Sequence, residues 1–249
     1  MTFSLSGTIS IKQTGHGLLS LPTLSETHLI PLLDVRILGL LSGIPYPEVV
    51  GTYRIVSSSG FISEITFSGL GILGGGKRNS FEAVIYSADD RHKSAIYTAS
   101  GQWSDHYTFW DAVKQVQLET YSVPSSPPAP LKIHTAMKKD PWHSRNAWKK
   151  VFDALKDGDT LAVGREKAKL EEAQREMRRL ERNQGIKWQQ AFFDQADPEQ
   201  YERGVFGRLA RIAGVRLEAD KTKGVWTYTG REKSARSIHE DLTPFGYAH

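Results

Sequence analysis

Apolar positions follow two rhythms along this chain, a period of two up to a proline-rich stretch and a period near 3.6 beyond it. Ile9, Ile11 and Gln13 alternate with Ser10 and Lys12, which predicts a half-buried strand with Gln13 facing inward beside the isoleucines. Between Leu29 and Leu41 the pattern sets Val35 and Ile37 on one side of a strand and Asp34 and Arg36 on the other, and Gly43, Pro45 and Pro47 end it. From Thr52 to Trp110 strands are expected at Tyr53–Val56, Phe61–Phe67, Ser80–Tyr86, Ser94–Thr98 and Gln102–Trp110, the last bent by a tight turn near Ser104-Asp105. Their connections are too short for parallel neighbours, so the strands form an antiparallel meander that curves into a sheet or part of a barrel.

The segment YSVPSSPPAP, Tyr121 to Pro130, cannot continue a sheet and reads as a surface linker. After it Ser144 is the expected N-cap of a helix whose Trp148, Val151, Phe152 and Leu155 share a face. Lys156-Asp157-Gly158-Asp159 ends that helix and starts a longer one, closed by Gly185. On the long helix Leu170, Ala173, Met177 and Leu180 recur at spacings of three and four and make a narrow apolar stripe. Lys167, Glu171 and Arg175 advance only about 40° per step and form a second, charged ladder along about 12 Å of helix. That ladder reads either as a solvated face held by i,i+4 pairs or as a clamp for an anionic head group. Trp188, Phe192 and Phe193 follow as an aromatic cluster, read as packing because no other aromatic platform strand accompanies them. The fold class is therefore α+β, with residues 1–135 an antiparallel partial β-barrel and residues 136–249 a helical C-terminal region.

The 249 residues, 39% hydrophobic, suffice for a packed core of one large or two ordinary domains. Neither a membrane span nor a signal peptide is expected, and zero cysteines rule out disulfides and thiolate metal sites and fit a cytoplasmic protein. The charge is uneven: up to Pro130 there are 8 Lys/Arg against 10 Asp/Glu, and beyond it 24 against 18. A basic helical half suits an anionic membrane surface. Nucleic acid is not expected as a partner, because five glutamates interleave the cations of the long helix. Gly69, Gly71 and Gly74 match the spacing of a dinucleotide fingerprint, but a strand follows where that fingerprint requires a helix. With no Gly-x-Ser-x-Gly elbow, no His-x-x-x-His pair and no cysteine set, the residues indicate neither an enzyme nor a cofactor or metal site.

The blocks GTISIKQTGHGLLSL, the strand ending in Ile37-Leu38-Gly39-Leu40-Leu41, SSSGFISEITFSG, GGGKRNSFEAVIY, AIYTASGQWS, SRNAWKKV, KAKLEEAQREMRR and GIKWQQAFF stand in an order that closely resembles the oxysterol-binding protein family, in its short fungal form, from about residue 3 to about residue 195. The resemblance implies a lipid-transfer protein that holds one sterol or one phosphatidylinositol 4-phosphate in a barrel tunnel and exchanges them between membranes, peripherally attached and without catalysis. It places Lys167, Glu171 and Arg175 at the phosphoinositide head group, Gln13 at the sterol hydroxyl, and Val35, Ile37, Leu40 and Pro45 along the apolar tunnel. The family's lid, its Leu-Asn-Pro segment and its Glu-Gln-Val-Ser-His-His-Pro-Pro signature have no counterpart: the eight histidines are scattered, with no adjacent pair. The expectation is thus a truncated carrier lacking the first barrel strands, with a non-transporting membrane-docking or scaffold remnant of the same fold as the alternative.

Overall fold

The computed structural model describes residues 2–4, 8–69, 76–130, 141–185, 192–228 and 242–247. Two compact units emerge, Met1–Pro128 with Gln195–Trp226, and Ala129–Asp194 with Thr227–His249. The helical region expected over 136–249 is therefore shared between the units.

The first unit holds two antiparallel sheets. Strands β1 (Thr2–Ser4), β2 (Thr8–Ile11), β5 (Val35–Leu38) and β6 (Tyr46–Val49) form a four-stranded sheet in the order β1-β2-β5-β6. The larger sheet has eight strands in the order β12-β11-β10-β9-β8-β7-β4-β3. They are β3 (His16–Leu21), β4 (Glu26–Pro31), β7 (Gly51–Ser57), β8 (Phe61–Ser68), β9 (Ser80–Ser87), β10 (Tyr97–Gln102), β11 (His106–Asp111) and β12 (Val116–Ser122). Neither sheet closes on itself, which gives the partial barrel that the strand pattern implies.

Several local expectations are corrected. The apolar run from Leu29 to Leu41 is two strands, because the chain leaves one sheet at Pro31 and enters the other at Val35. At this corner the Tyr53 hydroxyl accepts from Asp34 N (2.8 Å) and donates to Val50 O (2.7 Å), satisfying backbone groups that neither ladder pairs. Pro47 lies inside β6 rather than ending a strand, and it is tolerated there because β6 is the outer edge of its sheet. His16 and Gly17 open strand β3 instead of making a turn, and β12 runs through Tyr121 and Ser122, where a linker was expected. The expected strand Ser94–Thr98 begins only at Tyr97, since Asp90 draws the preceding residues into a turn by accepting from His92 N (2.8 Å) and Ser94 N (2.7 Å).

Register fixes which face of the large sheet is covered. Val56 pairs with Ile62 and Leu29, and Ile62 pairs with Tyr86, so these four residues share a face. Helix α5 (Val205–Ala213) lays Phe206, Leu209 and Ala210 onto them to make the core of this unit. Helix α4 (Pro198–Arg203), capped by Asp197 accepting from Glu199 N (2.8 Å), precedes it, and α6 (Ala219–Thr222) follows. His16 on β3 packs on Phe206 with ring centroids 4.3 Å apart, and its Nε2 lies 2.9 Å from the Tyr201 hydroxyl.

The second unit contains α1 (Ser144–Ala147), α2 (Lys149–Lys156) and α3 (Thr160–Asn183). Asp159 caps α3 by accepting from Ala162 N (2.8 Å), and Gly158 and Gly185 take positive φ of 72° and 68° at the flanking breaks, as the sequence implies. The cap of α1 is His143, without a side-chain bond, and Ser144 is already helical. Leu170, Ala173 and Met177 are buried and Leu180 half-buried, so the predicted stripe is the packing face of α3. On α2 the buried pair is Val151 and Ala154, while Trp148, just before the helix, and Phe152 and Leu155 stay exposed.

Candidate functional site

Two surfaces, one in each unit, carry the candidate residues. In the first, cross-strand register across the four-stranded sheet puts Ile9 beside Ile37, Ile11 beside Val35, and Val49 and Pro47 beside Val35 and Ile37. This is a continuous apolar face, and Val35 and Ile37 sit at its centre, half-buried. Leu40 and Pro45 lie outside it, in the exposed turn that joins β5 to β6. Gln13 lies beyond the end of β2 and is exposed, its Nε2 donating to Leu33 O (2.9 Å) at the corner between the sheets. The period of two therefore stops at Ile11, and Gln13 does not face inward with the isoleucines.

The large sheet adds a feature that the sequence reading missed. On the face away from α5, aromatic rings form a row across the strands. Tyr53 stands 6.0 Å from Phe67 between centroids, Phe67 6.3 Å from Phe81, Phe81 5.4 Å from Tyr107, and Tyr107 5.2 Å from Tyr121. Phe109 joins the row edge-on to Tyr107 at 5.6 Å. The separations and the mostly tilted or edge-on geometries are those that aromatic quadrupoles favour. The row crosses β10 only because Gly101 stands between Phe81 and Tyr107 in register. Its φ of +144° and the 2.6 Å from a built Cβ to Tyr107 Cα leave no room for a side chain. Tyr53, Phe67, Phe81 and Tyr107 are half-buried and Phe109 and Tyr121 exposed, so the row is a partly exposed apolar face. The signal was in the text, as aromatics at alternate positions of successive strands. Only register shows that they align.

On the other face of the same sheet, a cavity of about 250 Å³ opens among residues that include His16, Leu29, Arg54, Arg216 and Glu218. Burial pushes the His16 imidazole below its ordinary value of 6.5 and pushes the Tyr201 phenol up. Close by, Glu64 accepts from Arg54 Nε (2.6 Å), Lys93 Nζ (3.1 Å) and the Tyr86 hydroxyl (3.3 Å). The Arg54 hydrogen bond is the main reason its carboxyl is held below the usual range.

In the second unit the charged ladder forms as the spacing predicts. Glu171 Oε1 lies 3.2 Å from Lys167 Nζ, and its Oε2 lies 3.6 Å from Arg175 Nη2. The three side chains are 53%, 45% and 74% exposed for Lys167, Glu171 and Arg175, so the pairs contribute little to stability and the cations are free to exchange a carboxylate for a stronger anion. Arg175 also borders an open groove of about 530 Å³ lined with Glu172, Glu176, Arg178, Arg179 and Arg182. Phe193 meets Tyr228 edge-on at 5.9 Å, but Phe192 and Phe193 remain exposed, so the packing expected of that cluster is met in part. Trp188 lies outside the described residues, as do Gly71 and Gly74 of the glycine motif, and the element that follows that motif is strand β9. Among the described residues no cluster of three or more His, Asp or Glu could hold a metal ion, and no helix is long and apolar enough to cross a membrane.

A family model described as Oxysterol-binding protein matches residues 4–237. The probable transporter efuK of Hormonema carpetanum is 37% identical over 247 residues, 98% of this chain and 35% of its own length. Protein kes1 of Schizosaccharomyces pombe is 32% identical over 195 residues, 77% of this chain and 50% of its own length. Among solved structures, the Osh3 ORD of Saccharomyces cerevisiae in complex with PI(4)P aligns with a TM-score of 0.59 at 18% identity, over 96% of this chain and 58% of that one. That likeness is one of fold. The chain spans about a third to a half of the length of these curated relatives.

Proposed function

Since the chain belongs to the oxysterol-binding protein family, we propose that it binds a sterol or phosphatidylinositol 4-phosphate and carries lipid between membranes, as a peripheral protein of the cytoplasm and without catalysis. The observation that carries this reading is the row from Tyr53 to Tyr121, a partly exposed aromatic row on the face of the sheet opposite the one that α5 packs. Rigid flat rings lose little entropy on binding a rigid apolar body, and each Å² of apolar area withdrawn from water contributes about 25 cal/mol. A sterol nucleus matches such a row. The phosphoinositide half of the reading rests on the Lys167–Glu171–Arg175 ladder: a phosphate monoester attracts both cations more strongly than one carboxylate does, and Glu171 is left to accept from inositol hydroxyls. The solved Osh3 relative, which carries PI(4)P, supports that ligand by analogy of fold.

Extraction of labelled lipid from phosphatidylcholine vesicles tests the proposal. The wild-type chain is expected to take up both lipids. Lys167→Ala and Arg175→Ala each lower phosphoinositide uptake about tenfold and spare sterol uptake. Phe81→Ala lowers sterol uptake. A wild-type chain that extracts neither lipid overturns the reading. The open sheets favour a second reading, a docking module without transport, and sedimentation with anionic vesicles without any lipid extraction would select it.

A further inference from the structure

The turn between β5 and β6 presents large apolar side chains to solvent. Leu41 is 89% exposed and Ile44 67%, with Leu40 beside them, and the nine residues from Ile37 to Pro45 carry no charge. Exposed leucines are ordinary singly. Three at the tip of one tight turn are not.

The turn is built to hold this shape. Gly39 O accepts from Ile44 N (3.2 Å) and from the Ser42 hydroxyl (2.9 Å), and Leu40 O accepts from Gly43 N (3.3 Å). Gly39 takes φ +74°, and a Cβ there would stand 2.2 Å from Ile44 O, so the close return of the chain depends on glycine. Much of the backbone at the tip therefore satisfies itself, which lowers the cost of withdrawing it from water. At its base, one residue beyond Pro45, the Tyr46 ring lies under the Arg78 guanidinium at 3.7 Å, and Lys77 and Arg36 are exposed nearby in sequence or register. On the same face of β6, Glu48 accepts from Asn79 N (3.3 Å), which holds the strand to the segment that bears Arg78.

An uncharged aliphatic tip, an aromatic ring at its neck, a guanidinium stacked on that ring and the exposed Lys77 next to it in sequence match the components of an anionic bilayer surface: acyl chain, interface and phosphate. We infer that the Leu40–Ile44 turn is a membrane anchor, which inserts Leu41 and Ile44 into the acyl boundary of an anionic bilayer while Arg78 and Lys77 meet its phosphates. This rests on the peripheral membrane contact proposed above and names the surface that makes it.

The absence of cysteine allows a clean test with one environment-sensitive dye. Leu41→Cys and, as control, Val113→Cys, which is 72% exposed in the β11–β12 turn, are each labelled with NBD and mixed with vesicles of phosphatidylcholine and phosphatidylserine. The label at position 41 is expected to brighten and shift to the blue, and the label at 113 to stay unchanged. In unlabelled protein Leu41→Asp should reduce sedimentation with these vesicles about tenfold or more, with sterol uptake from detergent-solubilised sterol retained. If the chain sediments with vesicles but the label at 41 does not respond, the anchor is overturned while peripheral binding stands. If the wild-type chain does not sediment at all, both fall. Equal response at 41 and 113 also overturns the anchor, since it would report general adsorption.

Discussion

Gly101 shows how much rests on a missing side chain. Any Cβ at this position collides with His106 O at 2.4 Å and with the Tyr107 backbone, and the φ of +144° is unfavourable for every L residue. Gly101→Ala is expected to lower unfolding stability by about 2 kcal/mol or more and to move Tyr107 from its contact with Phe81, which urea denaturation and near-UV circular dichroism would record. His16 supplies a pH dependence whose sign follows from its burial. Its imidazole takes a proton in the unfolded chain near the ordinary value of 6.5 but only at lower pH when packed on Phe206. Above about pH 7 both states are neutral there and the group contributes nothing. As pH falls through 6.5 toward the folded value, the unfolded state binds a proton that the folded state refuses, and stability declines. His16→Gln should therefore flatten the loss of urea midpoint between about pH 7 and pH 5, although it lowers the midpoint at both ends by removing the ring contact. Nothing in the local sequence HGLLSL marks His16 as half-buried, because Tyr201 and Phe206, which cover it, come some 185 residues later.

The long helix α3 is the element most legible in sequence. Caps, stops and the Leu170–Leu180 stripe of α3 all follow from neighbours within a few residues, and the structure reproduces them. Its two faces should separate in mutation. Leu170→Ala empties a buried site and is expected to cost about 2–4 kcal/mol, whereas Lys167→Ala on the exposed ladder costs at most about 0.5 kcal/mol, a contrast that thermal and urea unfolding would show. Helix α2 marks the limit of such reading. Its periodicity is right, but packing buries Val151 and Ala154 and leaves Trp148, Phe152 and Leu155 exposed. Strand β6 makes a similar point: Pro47 reads as a terminator until β6 proves to be an edge, where no partner needs its missing N–H.

For the molecule as a whole, strand existence could be read locally, but strand pairing could not. The apolar alternation predicted most of the meander and an open antiparallel sheet, and the colinear blocks placed the chain in its family. The tunnel residues divide accordingly. Val35 and Ile37, read from alternation, lie on a shared apolar face, while Leu40 and Pro45, assigned by resemblance alone, stand in the exposed turn. By itself, the sequence determined periodicity, caps, breaks and charge distribution, because each depends on residues close together along the chain. Tertiary structure decided the corner at Leu32 to Asp34, the face that α5 covers, the aromatic row across Gly101 and the exposure of the Leu40–Ile44 tip. These depend on register and on contacts between distant segments, and a shift of one residue in the pairing of any one strand would turn that strand's rings of the row to the opposite side of the sheet.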